Sequence, residues 1–146
     1  MKLDALKDAV LVWGPLSEEA VKRLKAEAGP ILVAECRPSL LGLKHNLPLL
    51  KKAGIDFVYC PDNGLGLLFY KKKINKTLIS GDKGISGSLY AALLSKIHNV
   101  PLEIIAQGPA GLKDLDRDAS TLEGKDFILE VDKEEYIIEP GQEIIT

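Results

Sequence analysis

Two clusters in this chain have residue types and spacing that could do chemistry. The first is Glu35-Cys36-Arg37-Pro38, in which an acid, a thiol and a guanidinium follow the apolar run Ile31-Leu32-Val33-Ala34. The second is Gly81-Asp82-Lys83-Gly84-Ile85-Ser86-Gly87-Ser88, a glycine-rich loop with one carboxylate and one ammonium. A carboxylate lodged between strand ends loses hydration, which raises its pKa towards the range useful for general acid or base work; Asp82 is the candidate. A thiol beside a guanidinium and a helix N-terminus ionises more easily, which makes Cys36 the second catalytic candidate. Arg37, Lys83 and Lys44 offer cationic groups to a phosphate. Amides of Gly84, Ser86 and Ser88, just ahead of a helix, could cradle its oxygens.

Each group also has a plainer reading. The glycine-rich loop matches neither of the two phosphate-loop spacings, GxGxxG and GxxxxGK[ST], and can be purely conformational. Asp82 can cap a helix or pair with Arg37. Glu35 can bind backbone amides or a basic neighbour, and a free cysteine such as Cys36 is most often a small buried residue. Cys60 is read as core, while His45 and His98 suit capping and helix-dipole roles.

The elements that position these residues follow from periodicity and punctuation. Residues 9–13 form a strand stopped by Gly14-Pro15, and Ser17 caps a helix over 18–28. Residues 30–36 read as a strand buried on both faces; Pro38 cannot continue its ladder and biases Arg37 towards extended backbone. A helix over 43–52 tolerates Pro48 only near its first turn, and Gly54 stops it. A third strand over 55–60 meets turn chemistry at Pro61-Asp62-Asn63-Gly64, then a short helix over 65–70 and a fourth strand over 76–80. The helix over 89–97 carries the stripe Leu89, Leu93, Leu94 and Ile97, expected in the core, and a strand over 102–106 follows.

Such alternation builds βαβ units, so the expected fold is Rossmann-like α/β: a parallel sheet with helices on both faces in three layers. Ligands bind such sheets at the C-terminal edge. Trp13-Gly14, Glu35-Cys36-Arg37 and Gly81-Asp82-Lys83 should converge there, which adds Trp13, Gly14, Glu35 and Gly81 to the ligand-binding set. Beyond Gly108 the pattern changes to a polar stretch and short strands over 126–131 and 136–138, an appended β segment in which the charged residues 132–135 read as a solvated turn.

The length of 146 residues fits one domain. A formal net charge of -2 argues against nucleic acid as a partner. No apolar run approaches the roughly 20 residues that cross a bilayer, and Met1-Lys2-Leu3-Asp4 does not open a signal peptide, so no membrane role and a cytoplasmic location are expected. Two cysteines without CxxC spacing and two distant histidines give no support for a metal or a disulfide, and no cofactor is expected.

A resemblance emerges from these residues taken in order. Glu35-Cys36-Arg37-Pro38-Ser39-Leu40-Leu41-Gly42, Ala53-Gly54-Ile55, Asp62-Asn63 and Gly81-Asp82-Lys83 look like the E-T-R-P-x-x-x-G, A-G-I, D-N and G-A-D-[RK] landmarks of one family. Ser95-Lys96-Ile97-His98-Asn99-Val100-Pro101 likewise resembles its A-K-H-H-G-I-P. The family comprises the alpha, beta and delta subunits of eukaryotic initiation factor 2B, methylthioribose-1-phosphate isomerase and ribose-1,5-bisphosphate isomerase. The likeness spans about residues 9–106 and leaves 107–146 as an extension. It implies the Rossmann-like domain shared with ribose-5-phosphate isomerase A and CoA transferases, and a homodimer formed through that domain.

The same resemblance implies that Asp82 stands at the isomerases' catalytic aspartate. Their catalytic cysteine falls where this chain has Trp13-Gly14-Pro15, their phosphate-binding glutamine aligns with Leu41, and their Asn-Lys pair falls near Gly84-Ile85. The family's N-terminal helical domain finds no counterpart. The resulting expectation is an initiation factor 2B subunit-like, noncatalytic domain that binds a small phosphorylated ligand, associates with another chain, or both. The alternative is a sugar-phosphate aldose-ketose isomerase in which Asp82 acts as acid or base and Cys36 substitutes from the neighbouring strand.

Overall fold

Odd and even positions of the first strand feed two separate cores. Ala9–Trp13 (β1) is buried at every position. Ala9, Leu11 and Trp13 belong to one apolar cluster, and Val10 and Val12 to another. A strand buried on both faces needs cover on both, which is the physical basis of the three-layer prediction.

The computed structural model describes residues 3–38, 40–81, 88–105, 127–131 and 134–138. Its parallel sheet of five strands runs β3-β2-β1-β4-β5, with β2 at Ile31–Ala34, β3 at Phe57–Cys60, β4 at Ile74–Ser80 and β5 at Leu102–Ile105. The helices are α1 at Glu18–Leu24, α2 at Leu47–Lys52, α3 at Leu65–Tyr70 and α4 at Ser88–Ile97. Leu65, Leu68 and Phe69 of α3 and Ala91 of α4 join the first cluster. Ala20, Val21 and Leu24 of α1 and Leu50 of α2 join the second. The fold is Rossmann-like α/β, and its strand order reverses between β1 and β4, the place where such sheets open a crevice. A separate antiparallel pair, β6 at Phe127–Val131 and β7 at Glu134–Ile138, follows.

Local chemistry explains where elements stop. Ser17 caps α1 by accepting from Ala20 N at 3.1 Å. The helix ends at Leu24 rather than at 28, because the amides of Ala26 and Glu27 tighten onto Arg23 O and Leu24 O. β2 ends at Ala34 because Cys36 turns into left-handed backbone at φ 57°. The helix predicted over 43–52 is a π-helical turn, Gly42–Asn46, running into α2, whose first turn holds Pro48.

Two further expectations are corrected. The fully buried positions of α4 are Ala91 and Ser95 rather than Leu89, Leu93 and Ile97. Leu94 packs against the core only in part, and Ile97 is 69% exposed. Small residues let α4 sit close to β4, where the buried Ser95 Oγ lies 2.8 Å from Thr77 Oγ1 and donates to Ala91 O. Glu134 and Glu135, read as part of a turn, lie within β7.

Candidate ligand site at the C-terminal edge of the sheet

The left-handed turn at Cys36 brings two side chains on either side of it together. Arg37 Nε and Nη2 donate to the Glu35 carboxylate at 3.0 and 3.2 Å, a two-pronged pair between residues two apart. The Arg37 side chain is 67% exposed and that of Glu35 is 13% exposed, so the guanidinium lies at the surface over a sheltered acid. Hydrogen bonding from Arg37 holds the Glu35 carboxyl below the ordinary range; partial desolvation opposes this, and a hydrogen bond from Tyr59 assists. Tyr59 is in turn pushed up, first by burial and then by its bond to Glu35.

Asp62 closes the turn from β3. Its Oδ1 accepts from Cys36 N and its Oδ2 from Arg37 N, both at 2.8 Å. Consecutive amides that could have held an external anion are thus bound by an acid of the chain itself. Above it, the Tyr90 hydroxyl on α4 donates to Asp62 O at 3.3 Å, and its ring meets Trp13 edge-on at 6.0 Å and 67°. Burial is the main reason Tyr90 is pushed up. It also raises Cys60, helped by the charges of Asp62 and Glu35.

The end of β1 is fixed from two sides. Gly14 adopts φ 85°, and a Cβ there would run into the Ser80 carbonyl oxygen, so only glycine permits this approach of β1 to β4. Ser80 Oγ donates to Pro15 O at 2.6 Å. From the other side the buried Asn46 accepts from Leu16 N and donates to Gly14 O, each at 2.8 Å, while His45 Nε2 lies 2.8 Å from Leu16 O. The C-terminal ends of β1 and β4 therefore meet backbone against backbone.

Of the predicted site residues, Trp13, Gly14, Glu35, Cys36 and Arg37 are brought together. Cys36 is 2% exposed, and its Sγ accepts from Gly14 N at 3.3 Å. Cys36 and Cys60 are both buried. Gly81 is buried at the end of β4 with its amide on Ile105 O, Ser88 opens α4 half-buried, and Lys44 stands exposed on the π-helical turn. Asp82, Lys83, Gly84 and Ser86 lie outside the described residues. Among the described residues no group of three or more His, Cys, Asp and Glu could hold a metal ion. No helix among them is long and apolar enough to cross a membrane.

The sequence reading missed Asp62, Tyr59, Tyr90 and Asn46 as parts of this edge. Asp62 left two signals, its place in the Asp62-Asn63 landmark and its position just past a strand end, where an acid can serve the amides at the neighbouring strand's end. Asn46 left none, as a polar residue amid Lys44 and His45 reads as surface.

No protein-family model matches the chain. It is 26% identical over 101 residues to a protein of Aeropyrum pernix named as a methylthioribose-1-phosphate isomerase, a match covering 64% of this chain and 27% of the relative. It is 30% identical over 84 residues to methylthioribose-1-phosphate isomerase 2 of Pseudothermotoga lettingae, covering 52% of this chain and 24% of that one. The matches thus span about a quarter of the relatives' length.

Among solved structures, the delta subunit of translation initiation factor eIF-2B from A. fulgidus superposes with a TM-score of 0.59 at 20% identity, covering 77% of this chain and 41% of that one. The 5-methylthioribose 1-phosphate isomerase of Pyrococcus horikoshii gives 0.57 at 15%, covering 70% and 35%. At these identities the superpositions establish a shared fold. Sequence similarity thus relates this chain to methylthioribose-1-phosphate isomerases, and it shares its fold with an eIF-2B subunit and such an isomerase, in line with the resemblance at Glu35-Cys36-Arg37-Pro38, Asp62-Asn63 and Gly81-Asp82-Lys83.

Proposed function

We propose that the C-terminal edge of the sheet binds a small phosphorylated ligand through Arg37, without isomerase turnover. The observation that carries this reading is the contrast between its two reactive side chains. Arg37 is 67% exposed and held in one orientation by Glu35, whereas the Cys36 thiol is 2% exposed and packed on Gly14 N. A planar guanidinium is well suited to the oxygens of a phosphate, and a guanidinium already oriented loses less entropy on binding. Lys83, Lys44 and the amides of Gly84, Ser86 and Ser88 complete the proposed contacts. A thiol enclosed by packing has no path to a substrate carbon, and the family's cysteine position is taken by Trp13-Gly14-Pro15.

Titration with ribose 5-phosphate, followed by amide chemical shifts, tests the binding. Saturable shifts at Arg37 and Ser88 are expected, and Arg37→Ala should weaken binding at least about tenfold, the scale of a hydrogen bond to a charged group. Unshifted amides at millimolar ligand, or an Arg37→Ala protein that binds as tightly as the parent, would refute the reading.

A second reading has one observation in its favour: Cys36 Sγ, though from the turn after β2, reaches the end of β1. An isomerase using Cys36 and Asp82 would convert methylthioribose 1-phosphate, and Cys36→Ser and Asp82→Asn would each abolish the conversion. Absence of product with the parent protein removes that reading. The homodimer is a separate proposal, checked by light scattering, with a strict monomer at high concentration counting against it.

A further inference from the structure

Among the described residues, one side of the edge strand β5 is left largely exposed. Leu102 and Ile104 stand in register with Thr77 and Ile79 of β4, on the side where α4 packs, yet they are 40% and 55% exposed. Ile97, the last residue of α4, is 69% exposed. The opposite side of β5 is occupied differently: Glu103 is paired with Lys76 at 2.7 Å and with Arg23 at 3.1 Å. Ile105, on that opposite side, is partly buried against the second core, so the well-exposed aliphatic side chains of β5 are those on the α4 side.

Further along the same chain, the β6–β7 hairpin has the complementary problem. Its register sets Phe127, Leu129 and Val131 at alternate positions opposite Ile138, Tyr136 and Glu134. One side of the ribbon therefore carries apolar residues at every position but Glu134, while the other mixes Ile128 and Ile137 with Glu130 and Glu135. An isolated two-stranded hairpin is marginal in water and gains stability by laying such a side on another element. Residues 106–126 join the end of β5 to the start of β6, so the two surfaces are covalently linked. A link of this kind holds them at an effective concentration on the order of millimolar.

We propose that the apolar side of the β6–β7 hairpin docks on the Ile97, Leu102 and Ile104 side of β5 in the same chain and covers these exposed residues. Exposed aliphatic residues on an edge strand otherwise invite association with another copy, and an intramolecular cover prevents it.

Hydrogen exchange and methyl NOE spectroscopy on the full chain test this. Contacts between the Leu102 or Ile104 methyls and Phe127 or Leu129 are expected, and they should vanish in a filtered experiment on a mixture of labelled and unlabelled chains. Ile104→Asp, and independently Ile97→Asp, should lower amide protection in β6 and β7 at least tenfold while β1 to β4 keep theirs. Hairpin protection unchanged by both substitutions would overturn the proposal. So would NOEs that persist in the mixed sample, which would identify the occupant as a second copy.

Discussion

Asp62 acts on the chain itself before it can act on any ligand. Its two oxygens take the amides of Cys36 and Arg37, so the position of the Arg37 guanidinium depends on an acid 25 residues away. Asp62→Ala leaves two turn amides without their acceptor and should cost about 1–3 kcal/mol in urea unfolding, with weaker ligand binding as a second effect. Parent-like stability would mean that water serves those amides equally well. Gly14 carries a different constraint, because left-handed backbone and the Ser80 carbonyl both exclude a Cβ. Gly14→Ala should lower stability by about 3 kcal/mol, read as a depressed melting temperature, and an unshifted transition would show that the β1–β4 approach can relax. Sequence showed that Gly14 ends a strand and that Asp62 sits in a turn. It could not show what either meets, since those partners are long-range.

At the scale of elements, strands and helices were legible because apolar runs are short and Gly or Pro punctuates them; Ala9–Trp13 and Leu65–Tyr70 fall where the pattern put them. The misreadings share a cause. Periodicity weights large apolar residues, whereas α4 turns Ala91 and Ser95 to the sheet because small side chains and the Ser95–Thr77 hydrogen bond allow close packing. The edge of β2 was shortened by the backbone at Cys36, a property no propensity assigns to cysteine. Asn46 shows the same limit: one buried amide ties the π-helical turn before α2 to the loop after β1, serving Leu16 N and Gly14 O together. Asn46→Leu fills similar space but strands both buried backbone groups, and about 2–4 kcal/mol should be lost. If denaturant midpoints of the variant and the parent coincide, the loop must be held by Ser80 and His45 alone.

Across the whole molecule, charges tie distant parts of the chain together and set how stability follows pH. Arg23 and Glu27 of the first helical segment meet Lys76 of β4 and Glu103 of β5 in a closed ring, with Arg23–Glu27 and Lys76–Glu27 each at 2.8 Å. Glu103 is held below the ordinary carboxylate range, first by Lys76 and then by Arg23, and Glu35 is held down by Arg37 at the other end of the sheet. For both acids the folded pKa is below the unfolded one, so their contribution is complete above the free carboxylate pKa of about 4 and is lost as pH falls through the lower, folded values. Lys76 and Arg23 are raised, so their contribution persists through neutral pH and disappears only above the ordinary lysine range. Urea midpoints should therefore be flat from pH 6 to 8 and should drop below about pH 4. Glu103→Gln should make that drop shallower by removing one of its sources among the described residues, and Glu35→Gln should remove another. Because the ring is partly exposed, about 0.5 M salt should diminish the Glu103 component. An acid limb whose slope is the same in parent and Glu103→Gln protein would mean that the ring orders α1 against β4 and β5 without stabilising them.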